Sequence, residues 1–244
     1  MSKFIFCWIL FHAVIIGNKS SYLYVVFWNT GQGQWVTAIT PDECQHFDFG
    51  GEISYFRDNQ NLFLQLCKKK QNSLVLSHPD LDHYAFYPLF VRLIPKLCWR
   101  EPDHTVLPKD RIPKKIPFCA RSNELDQARL FKPTNFSNKN DSSKVYRFKN
   151  ILIPGDSSKK MEKTWVKSLK SQKLNYLLLG HHGSRTSTSD LLLKHLPQIK
   201  MAIVQSRMAK FNHPHKEVLT RLKTYRVPLI KTEDWGNTAI TFGQ

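Results

Sequence analysis

Beyond one short N-terminal stretch, the sequence lacks any apolar run of about 20 residues, the length a helix needs to cross a bilayer. That excludes several membrane spans within these 244 residues. Acidic residues are scarce: 19 Asp and Glu stand against 36 Lys and Arg, for a formal charge of +17. Such a surface attracts polyanions, whether nucleic acid, anionic lipid or acidic polymer; the plainer reading is a basic surface that only confers solubility. There are five cysteines, none in CxxC spacing, so a thiolate zinc site is set aside. The pair Gly31-x-Gly33 opens no helix and is therefore not a dinucleotide or phosphate loop. No internal repeat or low-complexity tract is present.

What is there suits one sizeable domain. The 244 residues are 41% hydrophobic and 12% aromatic, enough to bury an ample core and to exclude wholesale disorder. After Lys3, residues Phe4 to Gly17 are apolar apart from His12, and Asn18-Lys19-Ser20-Ser21 follow. A basic start and an apolar run too short to span comfortably describe an export signal. Residues 1–20 are accordingly expected to be a signal peptide or N-terminal anchor, and 21–244 one sizeable domain, periplasmic or extracellular. No small-x-small cleavage pair is present, so cleavage and an uncleaved anchor both stand. A first core strand is the competing reading. Cys44, Cys67, Cys98 and Cys119 are compatible with two disulfides in an oxidising compartment, or with four buried thiols.

Strands are expected at Tyr22–Trp28, Trp35–Ile39, His46–Gly51, Leu74–Leu76, Lys144–Phe148, Ile151–Ile153, Asn175–Gly180, Met201–Val204, Leu229–Ile230 and Thr238–Phe242, each rich in apolar or β-branched residues. Helices are expected at Asn61–Lys70, Tyr84–Leu97, Met161–Leu169, Thr188–Leu196 and Pro214–Tyr225. Arg100 to Lys139, with many prolines and bases (Lys109, Arg111, Lys114, Lys115, Arg121, Arg129, Lys132), reads as loop. It is a candidate substrate-facing insertion or a solvated face.

The chemistry concentrates in His78-Pro79-Asp80-Leu81-Asp82-His83, directly after an apolar run. Imidazole with carboxylate suits zinc, manganese or iron, whereas calcium takes oxygen alone. Surface turns also collect His and Asp, so the stretch by itself decides nothing. The recurrence does more. Two further apolar strands end at Asp156 and at His181-His182, and ligands gathered from distant segments at one sheet edge are what a metal centre requires.

Together with Asn29-Thr-Gly-Gln-Gly33, Asp48-Phe-Gly50, Asn140-Asp-Ser-Ser143, Pro154-Gly-Asp156, Gly180-His-His-Gly-Ser184 and His213-Pro214, these pieces resemble the metallo-β-lactamase superfamily. More narrowly, they resemble the hydrolase domain of the ComEC/Rec2 competence proteins. The resemblance implies an α+β fold, an αββα sandwich in a single domain, with two divalent metal ions, zinc or manganese, at one edge. It implies His78 and Asp80 on one metal, Asp82 and His83 on the second, Asp156 bridging, and one or both of His181 and His182 completing the set. Asp82 would also orient the nucleophile or move a proton. His213 is a candidate transition-state donor or a structural histidine; Ser143 and Ser184 are candidate substrate-binding hydroxyls or turn caps. The chain departs from the family pattern at Asn29 and Gln34, where acids are usual, and at Tyr84-Ala85-Phe86, where glycines are. His104 is isolated and reads as a surface residue.

The expected function is a metal-dependent phosphodiesterase, a nuclease acting on DNA through metal-activated water. A carbonyl hydrolase for lactones or lactams and a catalytically degenerate nucleic-acid-binding protein are the alternatives. DNA is the expected partner, with association to competence or membrane proteins as a further expectation. The family domain normally sits within a large membrane channel protein, so this chain is expected to be a freestanding, exported version.

Overall fold

The computed structural model describes residues 23–100, 116–119, 127–134, 136–169 and 172–243. The expected export signal, His104 and most of the basic Arg100–Lys139 stretch lie outside the described residues. Two six-stranded sheets form the frame. The first runs in the order β12 (Thr238–Phe242), β1 (Leu23–Phe27), β2 (Trp35–Ile39), β3 (Glu43–Phe49), β4 (Gln71–Val75), β5 (Leu97–Trp99). The second runs β11 (Leu229–Lys231), β10 (Met201–Val204), β9 (Tyr176–Leu178), β8 (Ile151–Ile153), β7 (Val145–Phe148), β6 (Gln127–Phe131).

Period-two alternation sorts the side chains into layers. Val25, Phe27, Val36, Ala38 and Phe47 of the first sheet meet Tyr146, Phe148, Ile151, Ile153 and Ile203 of the second, forming the inner core. The intervening residues point outward. Trp28, Trp35 and Phe49 pack with Phe56 and Phe63 of helix Ile53–Cys67 and with Phe86 and Phe90. On the other side Leu152, Leu177 and Ala202 pack with Trp165, Leu192 and Leu222 from three helices. The result is the expected αββα sandwich. Two disulfides, Cys44–Cys67 and Cys98–Cys119, resolve the cysteine question. The first fastens β3 to the end of its covering helix, and the second fastens β5 to residues 116–119.

Several boundaries differ from the sequence expectation. The first helix begins at Ile53, eight residues before Asn61; Glu52 stands at its N-cap without a side-chain cap bond and the first turn holds no acid, so this start carries no sequence signal. The helix expected over Tyr84–Leu97 is split into Leu81–Tyr84 and Tyr87–Leu93, and its last residue instead starts β5. The Arg100–Lys139 loop contains β6, an edge strand paired antiparallel with β7. Both unforeseen strands are edges, where an apolar pattern is weakest.

Among the described residues no helix is long and apolar enough to cross a membrane. The parallel pairs decide where the site lies. β3, β4 and β5 run parallel, as do β8, β9, β10 and β11. Parallel strands bring their carboxyl ends to one edge, where ligands are held. The segments after β3, β4, β8, β9 and β10 therefore converge.

Candidate metal centre

Asp156 is the middle of the convergence. It follows β8 through Pro154-Gly155, and Gly155 adopts φ +55°, where a Cβ would stand 2.8 Å from the Ser77 side chain. Only glycine lets this turn pass so close to the segment after β4. The Ser143 hydroxyl accepts the Asp156 N–H at 3.0 Å and is fully buried. Ser143 thus makes the contact expected of a cap, and its side chain is buried. Ser184 lies at 3.0 Å from the Thr186 hydroxyl, in the turn after the paired histidines.

The sequence-predicted residues gather around the two oxygens of Asp156. Near Oδ2 stand His181 Nε2 at 3.5 Å and His78 Nε2 at 3.8 Å, and His78 Nε2 also lies 3.5 Å from Asp80 Oδ2. Near Oδ1 stand His83 Nε2 at 3.1 Å and His182 Nε2 at 3.7 Å, with Asp82 Oδ2 3.1 Å from the latter. Two compact triads result, His78–His83–Asp156 and Asp82–His83–His182. His181 and His182 both take left-handed backbone angles, φ 49° and 53°, which L-residues rarely adopt. That strain turns successive side chains toward different oxygens of the same carboxylate.

Partners on the far side of each ring settle the tautomers. His83 Nδ1 lies 2.6 Å from Asp48 Oδ2, and His182 Nδ1 lies 3.1 Å from the Gln205 carbonyl. In the neutral rings both Nδ1 atoms therefore donate, and both Nε2 atoms face inward with lone pairs, 3.2 Å apart. His78 Nδ1 lies 3.1 Å from the Ser77 hydroxyl, and its buried Nε2 has no hydrogen-bond partner. While His83 is neutral, Asp156 Oδ1 likewise lacks a donor. A buried set of acceptors facing one another is unfavourable unless a cation sits among them. The donor set, imidazole nitrogen with carboxylate oxygen, fits a divalent transition metal and zinc.

Electrostatics point the same way. Burial disfavours the charge on Asp156, but the imidazoles of His83 and His182 outweigh it and hold the carboxyl well below the usual range. For His83, burial opposes protonation, yet Asp156 and Asp48 raise its pKa well above the ordinary value. The centre thus wants positive charge, which protons supply when no metal does. His213 behaves differently: burial, then His182 and His181, push it down to about 4, so it is neutral near pH 7. Its ring lies 6.1 Å from that of His181, at the rim.

Asp48 is the group sequence reasoning passed over. Besides His83 it accepts Ser77 N–H at 2.6 Å, Ser77 Oγ–H at 2.7 Å and Gln34 Nε2–H at 2.7 Å. The short Asp48-Phe-Gly50 motif was its only signal. Lys139 and Asn140 were also missed: Lys139 Nζ lies 3.3 Å from Asp80 Oδ1, and Asn140 Nδ2 lies 3.1 Å from His181 Nε2.

Comparison with known proteins agrees with the fold. No family model matches the chain. It is 28% identical to Recombination protein 2 of Haemophilus influenzae over 181 residues, covering 70% of this chain and 22% of that protein. It is 27% identical to ComE operon protein 3 of Bacillus subtilis, covering 94% and 34%, and 26% identical to Competence protein ComA of Neisseria gonorrhoeae, covering 90% and 32%. The chain therefore spans about a third or less of the length of these relatives. Among solved structures it superposes on the metallo-β-lactamase fold protein YhfI of Bacillus subtilis with a TM-score of 0.58, 11% identity and coverage of 90% and 100%. A diphosphatase of the PhnP family gives 0.55, 12% identity and coverage of 90% and 98%. The chain has the metallo-β-lactamase fold and resembles the competence proteins in sequence.

Proposed function

We propose that this chain is a metal-dependent phosphodiesterase that cleaves DNA. One observation carries the hydrolase part: four inward-facing imidazole nitrogens and two further carboxylates, Asp80 and Asp82, surround Asp156, whose two oxygens serve two lobes. On this reading His78, Asp80, His181 and Asp156 hold one divalent cation, and Asp82, His83, His182 and Asp156 hold the second. Cations held there supply Lewis acidity, acidifying water and screening negative charge at a scissile phosphate. The +17 charge supports a polyanionic substrate. The likeness to proteins named for recombination and competence supports DNA over other polyanions.

The chain's own residues then have distinct tasks. Asp48 and the Gln205 carbonyl fix the His83 and His182 rings with Nε2 inward. Ser143 holds the backbone that carries Asp156. Asp82, whose side chain is 36% exposed against 28% for Asp80 and 4% for Asp156, is the most open of the three carboxylates and would orient water or accept its proton. His213, neutral at the rim, donates an N–H to a phosphate oxygen as charge accumulates there.

The test is cleavage of labelled single- and double-stranded DNA by the purified chain with manganese, zinc or chelator. Asp82→Ala and Asp156→Ala serve as controls. Metal-dependent cutting that both variants lack, and that falls steeply with salt, is the expected result. DNA binding without cutting under any metal would reduce the protein to a nucleic-acid-binding module. Turnover of a lactone or lactam with no phosphodiester cleavage would make it a carbonyl hydrolase.

A further inference from the structure

The rim of the centre carries an aromatic ring that, among the described residues, is exposed and joins no core cluster. Phe211 ends the short helix Met208–Phe211, none of whose residues is buried, and its side chain is 55% exposed. Asn212 follows in the left-handed conformation and turns the chain at once into His213. The Phe211 ring lies 6.1 Å from the His213 ring, and the His213 ring lies 6.1 Å from that of His181. Phe211 is therefore two ring steps from the candidate metal ligands.

The helix is held firmly for so small an element. Arg207 pairs with Glu52 at 3.0 Å, Lys210 approaches the same carboxylate at 3.7 Å, and Met208 N–H donates to Glu233 at 3.0 Å. Arg207 N–H also donates to Gln32, whose own N–H is held by Glu52. The ring is presented on a fixed support, which lowers the ordering cost of binding. Lys210 Nζ stands 5.7 Å from the ring centroid, bringing a cation to the same spot. On another part of the rim Lys139, 69% exposed, reaches Asp80. Aromatic ring and cations bordering a candidate phosphate-cleaving centre form the combination that binds single strands: bases stack on the ring and phosphates meet the lysines.

We propose that Phe211 is a stacking platform for an unpaired base next to the phosphate held over His181 and His213. The inference rests on the phosphodiesterase reading and sharpens its substrate to single-stranded DNA or unpaired ends. In a duplex the bases already stack on one another and offer Phe211 no free face. A single strand or a frayed end does. An apolar contact alone would not need a flat ring, so an aliphatic replacement separates stacking from mere hydrophobic contact.

The test is fluorescence anisotropy of a labelled single-stranded oligonucleotide and its duplex, with the full chain in chelator at fixed salt. Binding is thereby read without cleavage. The wild type is expected to prefer the single strand, Phe211→Leu to lose roughly 5- to 100-fold of that affinity, and Phe211→Tyr to keep it. Duplex binding should change little, since phosphate contacts dominate it. Equal single-strand affinity in wild type and Phe211→Leu would overturn the proposal, as would a wild type that binds no single strand. Phe211-dependent binding without metal-dependent cleavage would sustain the platform and sink the phosphodiesterase reading. Cleavage with a Phe211→Leu variant that binds normally would do the reverse.

Discussion

Asp48 Oδ2 lies 2.6 Å from His83 Nδ1, and this contact joins the end of β3 to the stretch after β4 across 35 positions of sequence. The carboxylate orients the ring and makes its Nε2 more electron-rich, as carboxylates behind metal-bound histidines do. Asp48→Asn keeps the shape but removes the charge. Affinity for manganese or zinc is expected to fall about 10- to 100-fold, read by calorimetric titration of the metal-free protein. Unchanged affinity would mean that His83 is held by packing alone.

The facing acceptors around Asp156 make a second outcome specific. A cation that binds the folded state and not the unfolded one stabilises it by mass action, about 2.7 kcal/mol at a hundredfold excess over Kd. Manganese or zinc should therefore raise the melting temperature of the wild type in scanning fluorimetry. Asp156→Ala removes the oxygens shared by both lobes and should abolish the rise. A rise that survives in the variant would place the bound metal elsewhere.

The centre was legible because its pieces are local. Each ligand follows a short apolar strand, and strand ends can be read from six or seven residues. What escaped reading depends on distant chain. Asp48 was visible as part of a motif, but its task is defined by Ser77 and His83, which only the parallel pairing of β3 with β4 brings near. The disulfide pairing escaped for the same reason, since any Cys partner looks alike until the helix lies on the sheet. Helix Ile53–Cys67 began unannounced because its start carries no Ser, Thr or Asp cap, and Arg57-Asp58-Asn59-Gln60 interrupts its apolar face.

Fastening β3 to its covering helix has a thermodynamic consequence. The Cys44–Cys67 bond spans 23 positions, for which loop-closure entropy gives about 3 kcal/mol. The Cys44→Ala/Cys67→Ala variant is expected to lose roughly 2–4 kcal/mol in urea denaturation. A mild reductant should lower wild-type stability toward that of the variant. A wild type indifferent to reductant, with free thiols detected in the native protein, would contradict the pairing.

His46 offers the last test, one independent of metal. It lies fully buried on the outer face of β3: Nδ1 is 2.9 Å from the Thr37 hydroxyl and Nε2 is 3.0 Å from Asn72 Oδ1. Burial pushes its pKa from 6.5 down to about 4, a shift the Asn72 hydrogen bond only partly offsets. The folded state therefore keeps His46 neutral while the unfolded chain protonates it. Between the two pKa values the unfolded state binds more protons, so acidification favours unfolding. Stability from this group is complete above about pH 6.5 and declines as pH falls toward 4, by roughly 3 kcal/mol in all. His46→Gln, which retains an amide to meet Asn72 and Thr37, should be less stable at pH 7 but flatter across that window. Parallel urea denaturation curves of the two proteins at pH 7, 5.5 and 4.5 measure the difference. Identical slopes with pH would show that His46 becomes charged inside the fold as readily as in the unfolded chain.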